Sequence, residues 1–339
     1  MRKEIDLTGK RIVISRTDSI GDVMLTLPIC AWIKSHFKGV HITFLANNYT
    51  QPVVSCYDQV DEFIDWKEIE NLPSLEQIDR FRNMKADAII HVFPNRKIAA
   101  LAKKAKIKNR IGTSHRTFHL LTCNHRPNFT RKKSSLHEAQ LNFELIRPFG
   151  LENIPSLDEL NEYTRFFKRP SLQLPEFLEN VLIEPTKTVI LHPKSQGSAM
   201  EWGIKNYKEL ALKLVEKGYI VFFTGTEKEG LLFRNDIPFS EKIIDTTGKL
   251  TLSELITFVG KCENLVACST GPLHISGFLN KRAIGLFSPR KPIHPGRWKA
   301  LGKEVRILVD DENCPVCAQG KLCTCIEQIS VEKVLHEIC

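Results

Sequence analysis

Short apolar runs, each followed by a turn of small residues and then by a segment of helical period, recur along the whole chain in two halves. In the first half they are Arg11–Ser15, His41–Leu45, Glu62–Asp65, Ala88–Val92 and Asn109–Gly112. In the second they are Thr188–His192, Tyr219–Thr224, Lys242–Asp245, Leu265–Cys268 and Ala283–Phe287. Most of these runs are too short and too continuously apolar for strands with one wet face, and read as strands buried on both sides. Strands that alternate with helices form βαβ units around a mostly parallel sheet. Between the halves, Leu151–Leu182 carries Pro155, Pro170 and Pro175 and little periodicity. The expectation is therefore an α/β protein of two doubly wound, Rossmann-like domains, residues 1–168 and 169–339, facing across a cleft at the ends of their first strands.

Local signals fill in this plan. After Arg11–Ser15, the apolar residues Val23, Leu27, Cys30, Ile33 and Phe37 follow the helical period, and Pro28 marks a break within it. Thr113–Ser135 reads as a long polar, basic loop, and His137–Phe149 as a helix. A helix from about Asn206 has Tyr207, Leu210, Leu214 and Val215 on one face and ends at Gly218. Thr251–Cys262 is a further helix, and Ile326–Ile338 a terminal one placed to pack back across the domains.

No apolar run approaches the roughly 20 residues of a membrane span, and the first residues lack the apolar core of a signal peptide. The expected compartment is the cytoplasm, where ten cysteines are reduced thiols rather than a disulfide framework. The formal net charge is +9, and its distribution is uneven. From Ala88 to Ser135 there is no Asp or Glu, while twelve Lys and Arg fall inside, among them Lys103, Lys104, Arg110, Arg131 and Lys133. A block of one sign interleaved with Ile, Leu and Phe suits a polyanion: nucleic acid, phosphorylated lipid or an anionic membrane.

Two turns have the makings of an anion site. Ser269-Thr270-Gly271-Pro272 links a buried strand to a helix, with Ser269 or Thr270 as N-cap and Pro272 in the first turn. Free N–H groups and the positive end of the helix dipole converge there, and His274 lies one turn along. Lys194, Ser195, Gly197 and Ser198 form a second small, polar turn after Thr188–His192. Near the start of the chain, Asp18 and Asp22 flank Ser19-Ile20-Gly21.

Four stretches in this order resemble glycosyltransferase family 9, the heptosyltransferases of the lipopolysaccharide inner core. They are Ser15-Arg16 through Gly21-Asp22 to Pro28, His192-Pro193-Lys194-Ser195 to Trp202, Asp245-Thr246-Thr247-Gly248 to Leu255, and Ser269 to His274. The resemblance spans about Arg11 to Ser330. It implies a GT-B architecture with the acceptor on the N-terminal domain and the sugar nucleotide on the C-terminal one. It also implies an inverting transfer without a cofactor or divalent metal, most readily of heptose from ADP-heptose to a lipopolysaccharide core or lipid A-linked acceptor. The chain contains no Asp-x-Asp, the spacing with which many glycosyltransferases hold a metal against the diphosphate.

On the matching positions, Asp22 is the base, with Asp18 as the competing carboxylate on the acceptor side. Lys194, Ser195, Ser198, Ser269, Thr270, Gly271 and His274 border the donor phosphates and sugar, and Glu229 the nucleoside. Lys103, Lys104 and Arg110 are expected to meet the anionic glycolipid acceptor, with peripheral contact at the inner face of the membrane and no specific nucleic acid. Two departures touch the donor. Ser269 stands where many members carry Asp, and Met200 and Glu201 precede Trp202 where several carry a cation. Another nucleotide sugar is therefore the alternative donor. A basic nucleic-acid-binding protein is the alternative of another class, although no helix-turn-helix or finger signature is present. Cys314, Cys317, Cys323 and Cys325 offer four thiolates, but the one-residue gap of the last pair argues against a zinc knuckle.

Overall fold

The structure is a computed structural model that describes residues 4–132, 134–182, 187–197 and 199–339. The chain divides into two units, one ending at Lys168 and the other beginning at Arg169.

The first unit contains β1 (Arg11–Ser15), α1 (Ile20–Met24), α2 (Leu27–His36), β2 (His41–Ala46), β3 (Glu62–Asp65), β4 (Ala88–His91), α3 (Arg96–Lys104), β5 (Asn109–Ile111), α4 (Thr117–Thr122) and α5 (Glu138–Phe143). Its sheet has the order β3-β2-β1-β4-β5, and every pairing is parallel. Ile12 lies opposite Ile42 and Ala88, and Ile14 opposite Phe44 and Ile90, so β1 is enclosed on both edges. The break expected near Pro28 falls between α1 and α2. Pro28 occupies the first turn of α2, where its missing N–H costs no helical hydrogen bond. Asn95 starts α3 by accepting from the Lys97 and Ile98 backbone N–H groups.

Two expectations are corrected in this unit. The segment Thr113–Ser135 is not all loop, because α4 lies within it and buries His119. The helix expected over His137–Phe149 ends at Phe143 and continues as a 3-10 turn, Glu144–Phe149. Pro148 has no N–H for an α-helical bond there, and Gly150, at φ 94°, turns the chain away.

The second unit contains β6 (Thr188–His192), α6 (Ile204–Glu216), β7 (Ile220–Phe223), α7 (Glu227–Phe233), β8 (Ile243–Asp245), α8 (Leu252–Lys261), β9 (Asn264–Cys268), α9 (Gly271–Phe278), β10 (Arg282–Leu286), β11 (Val305–Leu308), α10 (Pro315–Ala318) and α11 (Val331–Ile338). Its sheet runs β11-β10-β9-β6-β7-β8, again parallel throughout. All residues of β6 and β9 are buried, as continuous apolar runs in a covered parallel sheet require.

Tyr207, Leu210, Ala211 and Leu214 form the buried stripe of α6. The Trp202 indole stacks edge-on against Tyr207, with centroids 5.0 Å apart, and donates to the Ile329 carbonyl at 2.8 Å. That bond ties the α6 region to the end of the chain. The terminal helix begins at Val331 rather than Ile326, and it packs on α6 of its own unit through Val334, Ile338 and a Lys213–Glu332 ion pair.

In both sheets the first strand lies between a pair of strands reached by crossovers in opposite directions. Such a switch point opens a crevice at the carboxyl ends of the strands. Those ends are β1 and β4 in the first unit, and β6 and β9 in the second.

Candidate active site

In the first unit the chain leaves β1 at Ser15, and Arg16 turns its side chain inward. The guanidinium is buried and donates to the Asp18 carboxylate at 2.7 Å, to Glu138 at 3.2 Å, to Asn142 at 3.4 Å and to Asp22. Asp22 sits in the first turn of α1, and its other oxygen accepts from the Ser19 hydroxyl. The turn between is tied to the end of β2: Asn47 donates to the Thr17 carbonyl at 2.7 Å and the Tyr49 hydroxyl to that of Asp18 at 2.6 Å. Asp18 and Asp22 are thus brought together on one cation at the carboxyl end of β1.

Charge is unevenly shared there. Burial pushes the Asp18 carboxyl up to about 6, Arg16 opposes the rise and the charge of Asp22 adds to it. The Arg16 guanidinium, although burial works against its charge, is held more firmly protonated by Asp18, Asp22 and Glu138. Glu138, buried at the start of α5, also accepts from Arg131 at 2.9 Å, and Arg131 reaches Asn142 at 3.1 Å and the Val92 carbonyl at 3.2 Å. Neither Arg16 nor Glu138 is assigned a role by the sequence. A motif shows neighbours along the chain, whereas this network joins residues more than a hundred positions apart.

In the second unit, Ser269, Thr270 and Gly271 form the turn from β9 into α9. Thr270 is the N-cap in an extended conformation (φ −133°, ψ 167°), yet its side chain makes no capping bond. Its hydroxyl is buried without a partner among the described residues, a costly state for a polar group. His274 is buried one turn along α9.

The turn after β6 is organised by Glu201. Its carboxylate accepts from Lys194 at 2.8 Å and from the Ser195 backbone N–H at 3.1 Å and hydroxyl at 3.2 Å. Gln196 and Gly197 take consecutive left-handed conformations, φ 50° and 80°, and a Cβ on Gly197 would meet open space. Ser198 lies outside the described residues. At the end of β7, Glu229 fills the third position of a capping box on α7, its Oε2 accepting from the Thr226 N–H at 2.7 Å and hydroxyl at 2.8 Å. His192 bonds the Thr224 hydroxyl at 3.0 Å, and burial holds its imidazole below the ordinary range against the pull of Glu229 and Glu201.

Lys103, Lys104 and Arg110, expected to meet the acceptor, lie on α3 and β5. Helix α3 follows β4 and runs back against it, so Lys103 and Lys104 at its last turn lie toward the amino ends of the strands, whereas Asp22 lies past the carboxyl end of β1. Arg110, on edge strand β5, donates to the Thr122 carbonyl at 2.7 Å and to that of Ile107, and so clasps the end of α4 to the loop that enters β5. Charge counting gives the sign of a surface but not its direction. Of the basic block, Arg131 is wired to the Asp22 turn through Glu138.

A sequence model described as glycosyltransferase family 9 (heptosyltransferase) matches residues 75–325. A provisionally named glycosyltransferase of Haemophilus influenzae is 25% identical over 345 residues, covering 97% of this chain and 96% of that protein. Lipooligosaccharide heptosyltransferase 2 of the same organism is 25% identical over 298 residues, 83% of this chain and 84% of its own. The crystal structure of a family 9 glycosyl transferase from Veillonella parvula superposes with a TM-score of 0.77 at 20% identity, over 99% of this chain and 98% of that one. Two parallel-sheet domains of this kind are the GT-B architecture. With the family matched over most of its length, this chain belongs to glycosyltransferase family 9, the heptosyltransferase family.

Proposed function

We propose that the protein transfers heptose from ADP-heptose, with inversion, to a hydroxyl of a lipopolysaccharide-core acceptor, and that no metal assists at the donor phosphates. The observation that carries this reading is the Thr270 turn. A buried N-cap hydroxyl with no partner among the described residues, at the start of α9, suits a phosphate oxygen brought by the donor. The backbone amides and dipole of α9 then supply the positive potential that other glycosyltransferases take from a metal.

In this mechanism Asp22 takes the proton from the acceptor hydroxyl as its oxygen attacks the anomeric carbon. The bond from that carbon to the diphosphate oxygen breaks, and the nucleoside diphosphate leaves with the electron pair. Arg16 and Ser19 fix the two oxygens of Asp22, each of which keeps a lone pair for the incoming hydroxyl. Asp18 orients Arg16 and stands beside the acceptor. Membrane contact belongs to the same proposal, and is supported by Leu120 and Leu121, exposed on α4 a few residues from Arg116. Among the described residues no helix is long and apolar enough to cross a membrane.

Lys194 is engaged by Glu201, which leaves the donor phosphates to the Thr270 turn in this reading. A thermal-shift panel of ADP, UDP, GDP and CDP with their sugar conjugates tests the donor, since a ligand bound by the folded state raises its melting point. ADP and ADP-heptose are expected to stabilise most, and a larger shift with another base would reassign the donor. Asp22→Asn is expected to lower turnover by about 10²- to 10⁴-fold with folding and nucleotide binding intact. Parental turnover in that variant would remove Asp22 from the mechanism.

A further inference from the structure

Past β11 the chain carries a feature the transfer reaction does not use. Cys314 precedes α10, Cys317 lies on it, and Cys323 and Cys325 follow after Gly320, whose φ of 70° turns the chain back. In an extended strand Cys323 and Cys325 would share a face but stand about 6.5 Å apart, too far for one tetrahedron. Here a 3-10 turn begins at Cys325, and the Cys325 backbone N–H donates to the Cys323 sulfur at 3.3 Å. The four sulfurs consequently lie within 4.8 Å of one another.

The spacing within that group is informative. Cys314 Sγ is 3.5 Å from Cys323 Sγ, and Cys317 Sγ is 3.4 Å from Cys325 Sγ. A disulfide requires about 2.05 Å. Four thiolates at about 2.3 Å from a central ion stand about 3.8 Å apart at the corners of a tetrahedron. A satellite apolar core is the other use of buried cysteines, but such a core draws in aliphatic and aromatic neighbours. This cluster, among the described residues, has no member that is not a cysteine. The Ser288 hydroxyl, two residues past β10, lies 3.3 Å from Cys317 Sγ and 3.7 Å from Cys325 Sγ, placed to donate its one proton to either in the manner of outer partners of metal thiolates.

We propose that Cys314, Cys317, Cys323 and Cys325 bind one tetrahedral, thiolate-ligated metal ion of the zinc or iron class. Four protein ligands close the coordination sphere, so the ion is structural and leaves no position for substrate. It cross-links the segment between β11 and α11, and the Ser288 contact ties that segment to the end of β10. That segment also receives the Trp202 indole and the Asn206 amide, at the Ile329 and Glu327 carbonyls.

The test is elemental analysis of the full chain purified under reductant and without chelator. One zinc or one iron per chain is expected, and the analysis itself tells the two apart. Reduced, metal-stripped protein is expected to take up one cobalt(II) with sulfur-to-metal charge-transfer absorption. Cys317→Ser and the half-exposed Cys323→Ser are expected to lose the metal and the absorption, whereas Cys339→Ser keeps both. Should a cysteine variant fail to fold, the cobalt titration of the parental chain still decides. Less than about a tenth of a metal per chain together with no cobalt bands would overturn the proposal. So would Cys314–Cys323 and Cys317–Cys325 disulfides in protein isolated under reductant.

Discussion

Arg16 and Glu138 meet at 3.2 Å across 122 residues of sequence, and their side chains are 3% and 1% exposed. Glu138 is shared with Arg131, so one buried carboxylate holds two guanidinium groups. Removing a buried partner strands the opposite charge, at a cost of about 3–5 kcal/mol. Glu138→Ala is expected to destabilise by that order in denaturant unfolding. Glu138→Gln, which keeps the acceptor oxygen, is expected to lose less stability while still lowering kcat, because Arg16 is then held less firmly against Asp22. Parental kcat in a folded Glu138→Gln protein would show that Arg16 needs no anchor.

Asp18 makes a prediction about pH. Its folded-state value of about 6 lies above the ordinary 3.8, so the folded chain binds more protons between those values than the unfolded one. Its contribution to stability is therefore present below about pH 4 and lost as pH rises through about 6. Asp18→Asn is expected to melt higher than the parent at about pH 7.5, with the advantage gone at about pH 4. Melting curves at the two pH values check this, and an advantage that grew on acidification would reverse the sign.

Glu201 faces the cation that a diphosphate would seek. Freeing Lys194 through Glu201→Gln is expected to tighten nucleoside diphosphate binding by a few fold, about the worth of a part-exposed pair at under 1 kcal/mol. Lys194→Met in the parental background is expected to change affinity little. Isothermal titration of both variants checks the pair, and a large loss in Lys194→Met would mean that the lysine already serves the ligand.

Helix α9 is seated by two glycines. A Cβ on Gly277 would strike the Leu301 carbonyl oxygen, and one on Gly302, at φ 142°, would strike the Gly277 backbone. Neither obstacle is a flexible side-chain tip. Gly277→Ala is expected to cost about 1–3 kcal/mol in unfolding free energy. It is also expected to weaken nucleotide binding, because the Thr270 turn moves with the helix. An Ala variant with parental stability and affinity would show that this approach has slack.

The sheets were legible because buried parallel strands are short unbroken apolar runs, and nearly every one was bounded within a residue or two. Strand β11 escaped because it is an edge with Arg306 in its middle, half-buried rather than sealed. Helix α4 escaped because six residues are too few to display a period, and only His119 is buried in it. At the candidate site, Asp22 and the Thr270 turn could be picked out as residue types next to strand ends. Arg16 could not, since its partner Glu138 is adjacent only after folding. Lys103 and Lys104 show the converse: a run of charge is visible in sequence, whereas the reversal of α3 that carries it toward the amino ends of the strands is a property of topology.

The pairing order of the second sheet bears on how the chain is made. Strand β6 takes β7 on one side soon after it emerges from the ribosome, but its other side waits for β9, which follows only after two further helices and β8. A nascent chain halted before Asn264 presents Val189, Ile190 and Leu191 along an open backbone edge, the kind of surface on which chaperones and aggregates compete. Synthesis through β9 closes that edge, and the same stretch of translation delivers the turn at Thr270.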